Sequence, residues 1–273
     1  MKQKPQKRCI FCAGKPTTKE HIWSEWMHAY LPTESDGRNE VSKTFAQHNS
    51  PASLPAVSRA RPGPVKTKRI RVVCSECNNG WMSRLETTVK PIVLPMIRGK
   101  ACTLDEEAQA LVARWITVKA IVTEYSQDDQ RLTPTADRVA LTKEYTIPPY
   151  FCIRVGRNAS SWRTLFYRHS TTISLDRLVT APQMDGMERN IQQITMLFDA
   201  LIIQVLAVRV AGHRIENRIA PQIGAQLWPI QTPTLDFGQF TGTGDDELMA
   251  CTHSLAAFLD ANQRGWLPMP DGG

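Results

Sequence analysis

The clearest hydrophobic pattern in the chain lies just past residue 100. Apolar residues recur at helical spacing from Leu111 to Val122, which predicts one long amphipathic helix. Asp105, Glu106 and Glu107 precede the apolar positions and fall in the first turn, where the helix dipole favours negative charge. We therefore expect this helix to open the second part of the protein.

The positions after this helix change to a β-type pattern. Runs rich in β-branched and aromatic residues cover 150–155, 162–167 and 191–210, and Asp199-Ala200 interrupts the last run. That interruption predicts a bend between two strands, and residues 249–259 suggest a short closing helix. We predict that 101–273 form an α+β domain with antiparallel strands, whose role the sequence does not define.

The first hundred residues have shorter apolar patterns. Residues 21–30 show a short helical pattern, and a second helix is predicted to begin near Trp81. Between them, 50–64 are rich in Pro, Ser and Arg, so we expect an exposed loop there. We place a domain boundary near residue 100, which makes 1–100 a first domain with a long loop insert.

Four of the seven cysteines form two C-x2-C pairs within this first part, namely Cys9, Cys12, Cys74 and Cys77. Two such turns supply four thiolates to one tetrahedral Zn²⁺, and a shell of four sulfurs leaves no open position for chemistry. The pairs predict a structural zinc site. The alternatives are unpaired buried thiols or two separate half-sites.

Charge adds a candidate partner. The 273-residue chain has a formal net charge of +7, and its basic residues cluster beside the cysteine pairs. The run before the second pair contains Lys66, Lys68, Arg69 and Arg71, which we predict to contact nucleic acid, although a solvated basic loop would have the same composition. The sequence has neither a run of about eighteen apolar residues nor a secretory-type apolar N-terminus, so we expect a cytoplasmic protein without a membrane partner.

The order of these motifs resembles that of HNH endonucleases, a family built on a treble-clef or ββα-metal finger. The resemblance covers about the first third of the chain. It rests on the two cysteine pairs, the Glu20-His21-Ile22 step and the asparagine after the last cysteine, which are Cys9, Cys12, Glu20, His21, Ile22, Cys74, Cys77 and Asn78.

The resemblance implies a metal-dependent hydrolase that cuts phosphodiester bonds in DNA. His21 would activate water, while Glu20 and Asn78 would hold a divalent cation, for which oxygen ligands favour Mg²⁺ or Mn²⁺. Side chains alternate along a strand, so Glu20 and His21 are expected on opposite faces. The chain also departs from the family pattern, with Ser24, Arg69 and Trp81 where the family commonly has proline, asparagine and lysine.

Other functions fit the same residues. One is a nonenzymatic zinc module that binds nucleic acid, in which Asn78 only caps a helix. Another is an interaction protein whose C-terminal domain recognises a protein partner or a second copy of the chain. His28 and His48 are alternative ligands for a cation.

Overall fold

The computed structural model describes residues 8–14, 18–31, 38–44, 57–62, 65–126, 131–173, 189–210 and 215–261. Helices and strands alternate irregularly, as expected for an α+β protein. The strands are β1 Thr18–His21, β2 Arg38–Thr44, β3 Val57–Pro62, β4 Arg69–Val73, β5 Thr103–Asp105, β6 Phe151–Asn158, β7 Thr164–Thr171, β8 Ile191–Phe198, β9 Leu201–Val208, β10 Ala225–Trp228, β11 Thr234–Asp236 and β12 Gly242–Thr243.

The helices are α1 Ser75–Cys77, α2 Ser83–Ile97, α3 Glu106–Thr123, α4 Thr135–Lys143, α5 Asp245–Thr252 and α6 Ser254–Ala261. A short 3₁₀ helix, Glu25–Ala29, follows β1, and a five-residue π-type turn, Asn78–Met82, joins α1 to α2. None of the described helices is both long and apolar enough to cross a lipid bilayer.

The largest sheet has the strand order β10-β6-β9-β8-β7, and all of these neighbours are antiparallel. A short strand, β12, adds to β6 in parallel. β8 and β9 form the hairpin predicted from the interruption at Asp199-Ala200, and Asp199 takes a left-handed backbone conformation with φ of 56°. The predicted antiparallel strands are therefore confirmed.

Every residue of β8 and β9 is buried. Because side chains alternate along a strand, Ile203 and Val205 pack into the main core while Ile202 and Leu206 enter two smaller clusters on the other face. Residues of α5 and α6 complete those smaller clusters. Burial on both faces explains why 191–210 reads as an almost continuous apolar run.

α3 begins where predicted, and its N-cap, Asp105, accepts a hydrogen bond from the backbone N–H of Ala108 at 2.8 Å. The expected amphipathic character is less marked, because twelve of its eighteen residues are buried. The buried set includes Gln109, Thr117 and Lys119, so this helix is enclosed on more than one face.

The described part of the first hundred residues contains two small antiparallel sheets. β1 pairs with β4, and β2 pairs with β3. The prediction of a loop over 50–64 is wrong at 57–62, because β3 pairs there with β2. Both strands of a two-stranded ribbon are edge strands, and edge strands tolerate a proline such as the one that ends β3. The boundary predicted near residue 100 stays a prediction, although Trp23 packs against Phe198 at 4.5 Å between ring centroids and both belong to one core.

Candidate functional site

The four paired cysteines converge on one point. Their sulfur atoms all lie within 4.8 Å of one another, and three of the four residues are buried. A tetrahedral zinc site with bonds of about 2.3 Å places its sulfurs about 3.8 Å apart, which this cluster approaches. The 3.5 Å separation of the Cys12 and Cys74 sulfurs shows how tight it is. The described residues thus contain a four-cysteine group that could hold zinc, as predicted.

Local backbone structure shapes this group. Ala13 takes a left-handed conformation with φ of 61°, which turns the chain after Cys12. A β-carbon on Gly14 would lie 3.3 Å from the Cys12 sulfur, so a side chain there would crowd the cluster. Cys74 is the N-cap of α1, and its sulfur accepts a hydrogen bond from the Cys77 backbone N–H at 3.4 Å.

The thiols differ in acidity. Burial raises the pKa of Cys77, and it also raises the pKa of Cys12. Burial acts in the same direction on Cys9, but backbone hydrogen bonds at Cys12 and Cys74 outweigh it and leave the Cys9 pKa lowered. A bound cation would favour the thiolate form of all four.

β1 carries the two residues expected to do chemistry, and the sheet separates them. In the β1–β4 ladder Glu20 is opposite Ile70, and His21 is opposite Arg69. Glu20 and Ile70 are buried, whereas His21 is half-buried and Arg69 is exposed. The expected alternation is therefore present: Glu20 points into the protein and His21 does not.

The Glu20 carboxylate is occupied by a buried lysine from α3. Lys119 Nζ lies 2.6 Å from Glu20 Oε1 and 2.7 Å from Glu86 Oε1. It also donates to the His21 carbonyl oxygen at 3.1 Å, and Ser24 Oγ donates to the same Glu86 oxygen at 2.6 Å. We call Glu20, Glu86 and Lys119 the buried triad.

Two carboxylates share one ammonium in this triad. Burial opposes the charge on Lys119, but Glu20 and Glu86 outweigh it, so the pKa of Lys119 is raised. Burial raises the pKa of Glu20 despite the attraction of Lys119. The triad thus consists of a charged lysine and two carboxyl groups, one of which is deeply buried. We interpret it as a structural contact between β1, α2 and α3.

His21 is half-buried on the opposite face of β1. Its ring meets that of His28 edge-on, with centroids 5.4 Å apart. Burial lowers the pKa of His21, and the positive charges of Arg69 and His28 lower it further. Its Nε2 atom is enclosed without a hydrogen-bond partner in the described part of the chain. These effects favour the neutral imidazole, which is the form that can accept a proton, and they also make it a weaker base.

Asn78 is held near the other end of β1. Its side-chain amide donates to Thr18 Oγ1 at 3.3 Å, and its backbone N–H donates to the Cys74 carbonyl oxygen at 2.9 Å. Thr18 and His21 are three residues apart on a strand, a span of about 10 Å. Hence Asn78, Glu20 and His21 lie around the same small sheet but do not converge on one point.

The four basic residues predicted to contact nucleic acid have different environments. Arg69 and Arg71 are exposed on β4. Lys66 Nζ donates to the carbonyl oxygens of His28 and Leu31, at 3.1 and 3.0 Å. Lys68 is buried with its Nζ 5.5 Å from the centroid of the Phe166 ring, so its charge is not presented at the surface.

Sequence reasoning missed the part played by α3. Lys119 is the only charged residue among the apolar positions between Trp115 and Thr123, and a lone lysine there requires a buried partner. That signal was available, but the partners lie 99 and 33 residues away, at Glu20 and Glu86. The sequence indicates His28 only as an alternative ligand and contains no local signal for its contact with His21.

Comparisons with family models, with curated proteins and with solved structures give no match for this chain.

Proposed function

We propose that the protein is a nuclease that hydrolyses phosphodiester bonds, with the treble-clef type of zinc finger expected of HNH endonucleases and with His21 as the general base. The observation that carries this proposal is the position of His21. It stands directly opposite Arg69 on the small sheet that joins the two cysteine pairs, and its pKa is lowered by burial and by neighbouring cations.

The order of elements also supports a treble-clef arrangement. One cysteine pair precedes β1, and the second pair follows β4 directly, with Cys74 at the start of the helical segment that leads into α2. The metal would hold the start of β1 to the end of β4 at one end of this antiparallel ladder, and the strand pairing extends from there to His21 and Arg69 at the other end. This division gives zinc a structural role and leaves the chemistry to side chains outside the cysteine cluster.

The residues suit the following steps. His21 accepts a proton from water as the water oxygen bonds to phosphorus, and the bond from phosphorus to the leaving sugar oxygen breaks. The leaving oxygen takes a proton from solvent. Arg69 lies where its guanidinium could pair with a phosphate oxygen and offset the added negative charge.

A divalent cation held by Glu20 and Asn78 stays a prediction that the geometry of the described residues does not support. Glu20 is already paired with Lys119, and Asn78 is bonded to Thr18. Within the described residues the four cysteines are the one group of three or more metal-ligating side chains close enough to share an ion. We therefore assign no catalytic step to Mg²⁺ or Mn²⁺.

Supercoiled plasmid provides the test. Wild-type protein is incubated with plasmid in Mg²⁺, in Mn²⁺ and in EDTA, and nicked product is measured over time. His21→Ala should abolish nicking while zinc content and secondary structure persist. The matched control is His253→Ala, since His253 is an exposed histidine of the C-terminal half. Equal nicking by wild type and His21→Ala would contradict the proposal.

The occupied Glu20 carboxylate favours one alternative, a nucleic-acid-binding zinc module without hydrolytic activity. It predicts that the wild type shifts plasmid or oligonucleotide in a gel but leaves it intact in all three buffers. Retained binding without nicking would replace the enzyme by this module.

A further inference from the structure

Two aromatic residues, one in the 3₁₀ helix Glu25–Ala29 and one at its C-cap, lie near a lysine of α2 and the arginine that follows α2. Lys90 Nζ is 5.8 Å from the centroid of the Trp26 ring, and the Arg98 guanidinium carbon is 6.0 Å from that of Tyr30. Trp26 is half-buried, and Tyr30 is 37 % exposed. We call these four residues the aromatic strip.

The aromatic strip adjoins the His21 site. His28 stands two residues after Trp26 and two before Tyr30, and its ring is the one that meets His21. Lys90 lies on α2 and Arg98 is its C-cap residue eight positions later, so their backbones are about 12 Å apart along the helix axis. A strand of a few nucleotides could therefore reach from His21 along the strip.

The described charged residues around the aromatic strip are mostly basic. Lys90, Arg98 and Arg69 are exposed, and Lys66 is bound to backbone carbonyls at the end of the 3₁₀ helix. Glu25 is an exposed carboxylate on the same 3₁₀ helix and opposes them. The balance of these groups favours an anionic partner.

A second tyrosine–arginine pair elsewhere shows what is particular about Tyr30. Tyr145 is 61 % exposed, but the Arg114 guanidinium carbon lies 3.5 Å from its ring centroid, which is a closed stack. A flat base needs about 3.5 Å on each side, so about 7 Å between two flanking groups. At Tyr30 the guanidinium carbon is 6.0 Å from the ring centroid, so the arginine does not close over this ring as Arg114 closes over Tyr145.

We propose that the aromatic strip binds single-stranded nucleic acid, with an unpaired base stacked on Tyr30 and its phosphates near Lys90 and Arg98. Bases within a duplex are already stacked on their neighbours, so an exposed tyrosine ring selects unpaired nucleotides. This inference deepens the proposed function by naming the substrate class at the same site. It rests on the surface rather than on the catalytic step, so the two can fail separately.

The experiment measures the affinity of the 273-residue chain for fluorescent oligonucleotides of 20 nucleotides. Fluorescence anisotropy is recorded in EDTA at several salt concentrations. The probes are oligo-dT, oligo-rU and a DNA duplex of the same length. Tyr30→Ala should weaken binding to the single strands roughly 5- to 100-fold, the range found when one stacking residue is removed, whereas Tyr30→Phe should retain it. Arg98→Gln should lower the salt slope by about 0.7, as expected for one lost contact to a single strand.

Tyr145→Ala is the matched control, because it removes an exposed tyrosine from a pair that is already closed. Equal effects of Tyr30→Ala and Tyr145→Ala would overturn the proposal, as would tighter binding of the duplex than of both single strands. Preference between oligo-dT and oligo-rU assigns the strip to DNA or to RNA. Plasmid nicking that survives Tyr30→Ala with unchanged oligonucleotide binding would refute the strip and leave the nuclease intact. Binding that depends on Tyr30, without any plasmid nicking, would support the aromatic strip and refute the nuclease.

Discussion

Lys119→Met is the most informative single change in the buried triad. Methionine keeps most of the lysine's length and apolar stem but removes the charge that serves Glu20 and Glu86 at 2.6 and 2.7 Å. Breaking a buried ion pair by removing one partner costs about 3–5 kcal/mol, because the remaining charge stays buried and unpaired. Glu86 is 24 % exposed and keeps its bond to Ser24, so it can be solvated more readily than Glu20. Because only the Glu20 carboxylate would stay buried and unpaired, we expect a loss of unfolding free energy at the lower end of this range, about 3 kcal/mol.

The assay is urea unfolding followed by circular dichroism at fixed zinc concentration, with the free energy of unfolding taken from the linear extrapolation. Lys143→Met is the matched control, because Lys143 is an exposed lysine at the end of α4. Its loss should stay below about 1 kcal/mol, the value of a cation near a helix terminus. Adding Glu20→Gln to Lys119→Met should recover at least about 1 kcal/mol, since the buried charge is then gone.

The pH dependence gives a second check on the triad. The pKa of Glu20 is already raised by burial, and losing Lys119 would raise it further. A carboxyl group with a raised folded-state pKa contributes stability at low pH and loses it as pH rises through that pKa. The destabilisation caused by Lys119→Met should therefore be smaller at pH 4.5 than at pH 8. A loss below about 1 kcal/mol at pH 8, or no recovery in the double variant, would refute the reasoning.

Three further predictions concern the metal and the core. Cys74→Ser should release zinc and unfold the first domain, as measured by metal analysis and circular dichroism, whereas Cys102→Ser, outside the cluster, should keep the metal. Gly224→Ala should destabilise by at least about 2 kcal/mol, because a β-carbon there would lie 2.2 Å from a backbone carbonyl oxygen, whereas Gly244→Ala meets nothing and should cost less than about 1 kcal/mol in the same urea assay. Burial lowers the pKa of His169 to about 4, so its contribution to stability is present above its ordinary pKa of 6.5 and is lost as pH falls towards 4. His169→Gln should flatten that part of the stability curve, and an unchanged slope between pH 7 and pH 5 would contradict it.

The elements that could be predicted from sequence are those whose signal is local. α3 combines an acidic first turn with long apolar periodicity, and the β8–β9 hairpin shows two apolar runs around Asp199-Ala200. α4 was missed because its nine residues bury only Leu141 completely, which leaves too few apolar positions to define a period. The strands β10, β11 and β12 have two to four residues each and exist through pairing with distant strands.

In the candidate site, too, only the residues with a local sequence signal could be predicted. The four cysteines were predictable because their spacing alone encodes a ligand set. The contact between Lys119 and Glu20 spans 99 positions and depends on how α3 packs against β1, so local pattern could not supply it. Ser24 had been noted only as a departure from the family pattern. In the structure the Ser24 hydroxyl donates a hydrogen bond to Glu86, so this serine supports the buried triad.

Glu20 and His21 are neighbours in sequence but have different environments, because β1 is a strand. A strand sends neighbouring side chains to opposite faces, and at this position one face meets α3 while the other meets the 3₁₀ helix Glu25–Ala29. Glu20 therefore fixes the sheet to the core, since it is held by a lysine that also bonds to the His21 carbonyl oxygen. That shared lysine ties the backbone of His21 to the most deeply buried helix of the described chain. Rigidity at His21 thus has two sources, the four-cysteine cluster at one end of the β1–β4 sheet and Lys119 beneath it, and only the second would be independent of a bound zinc ion.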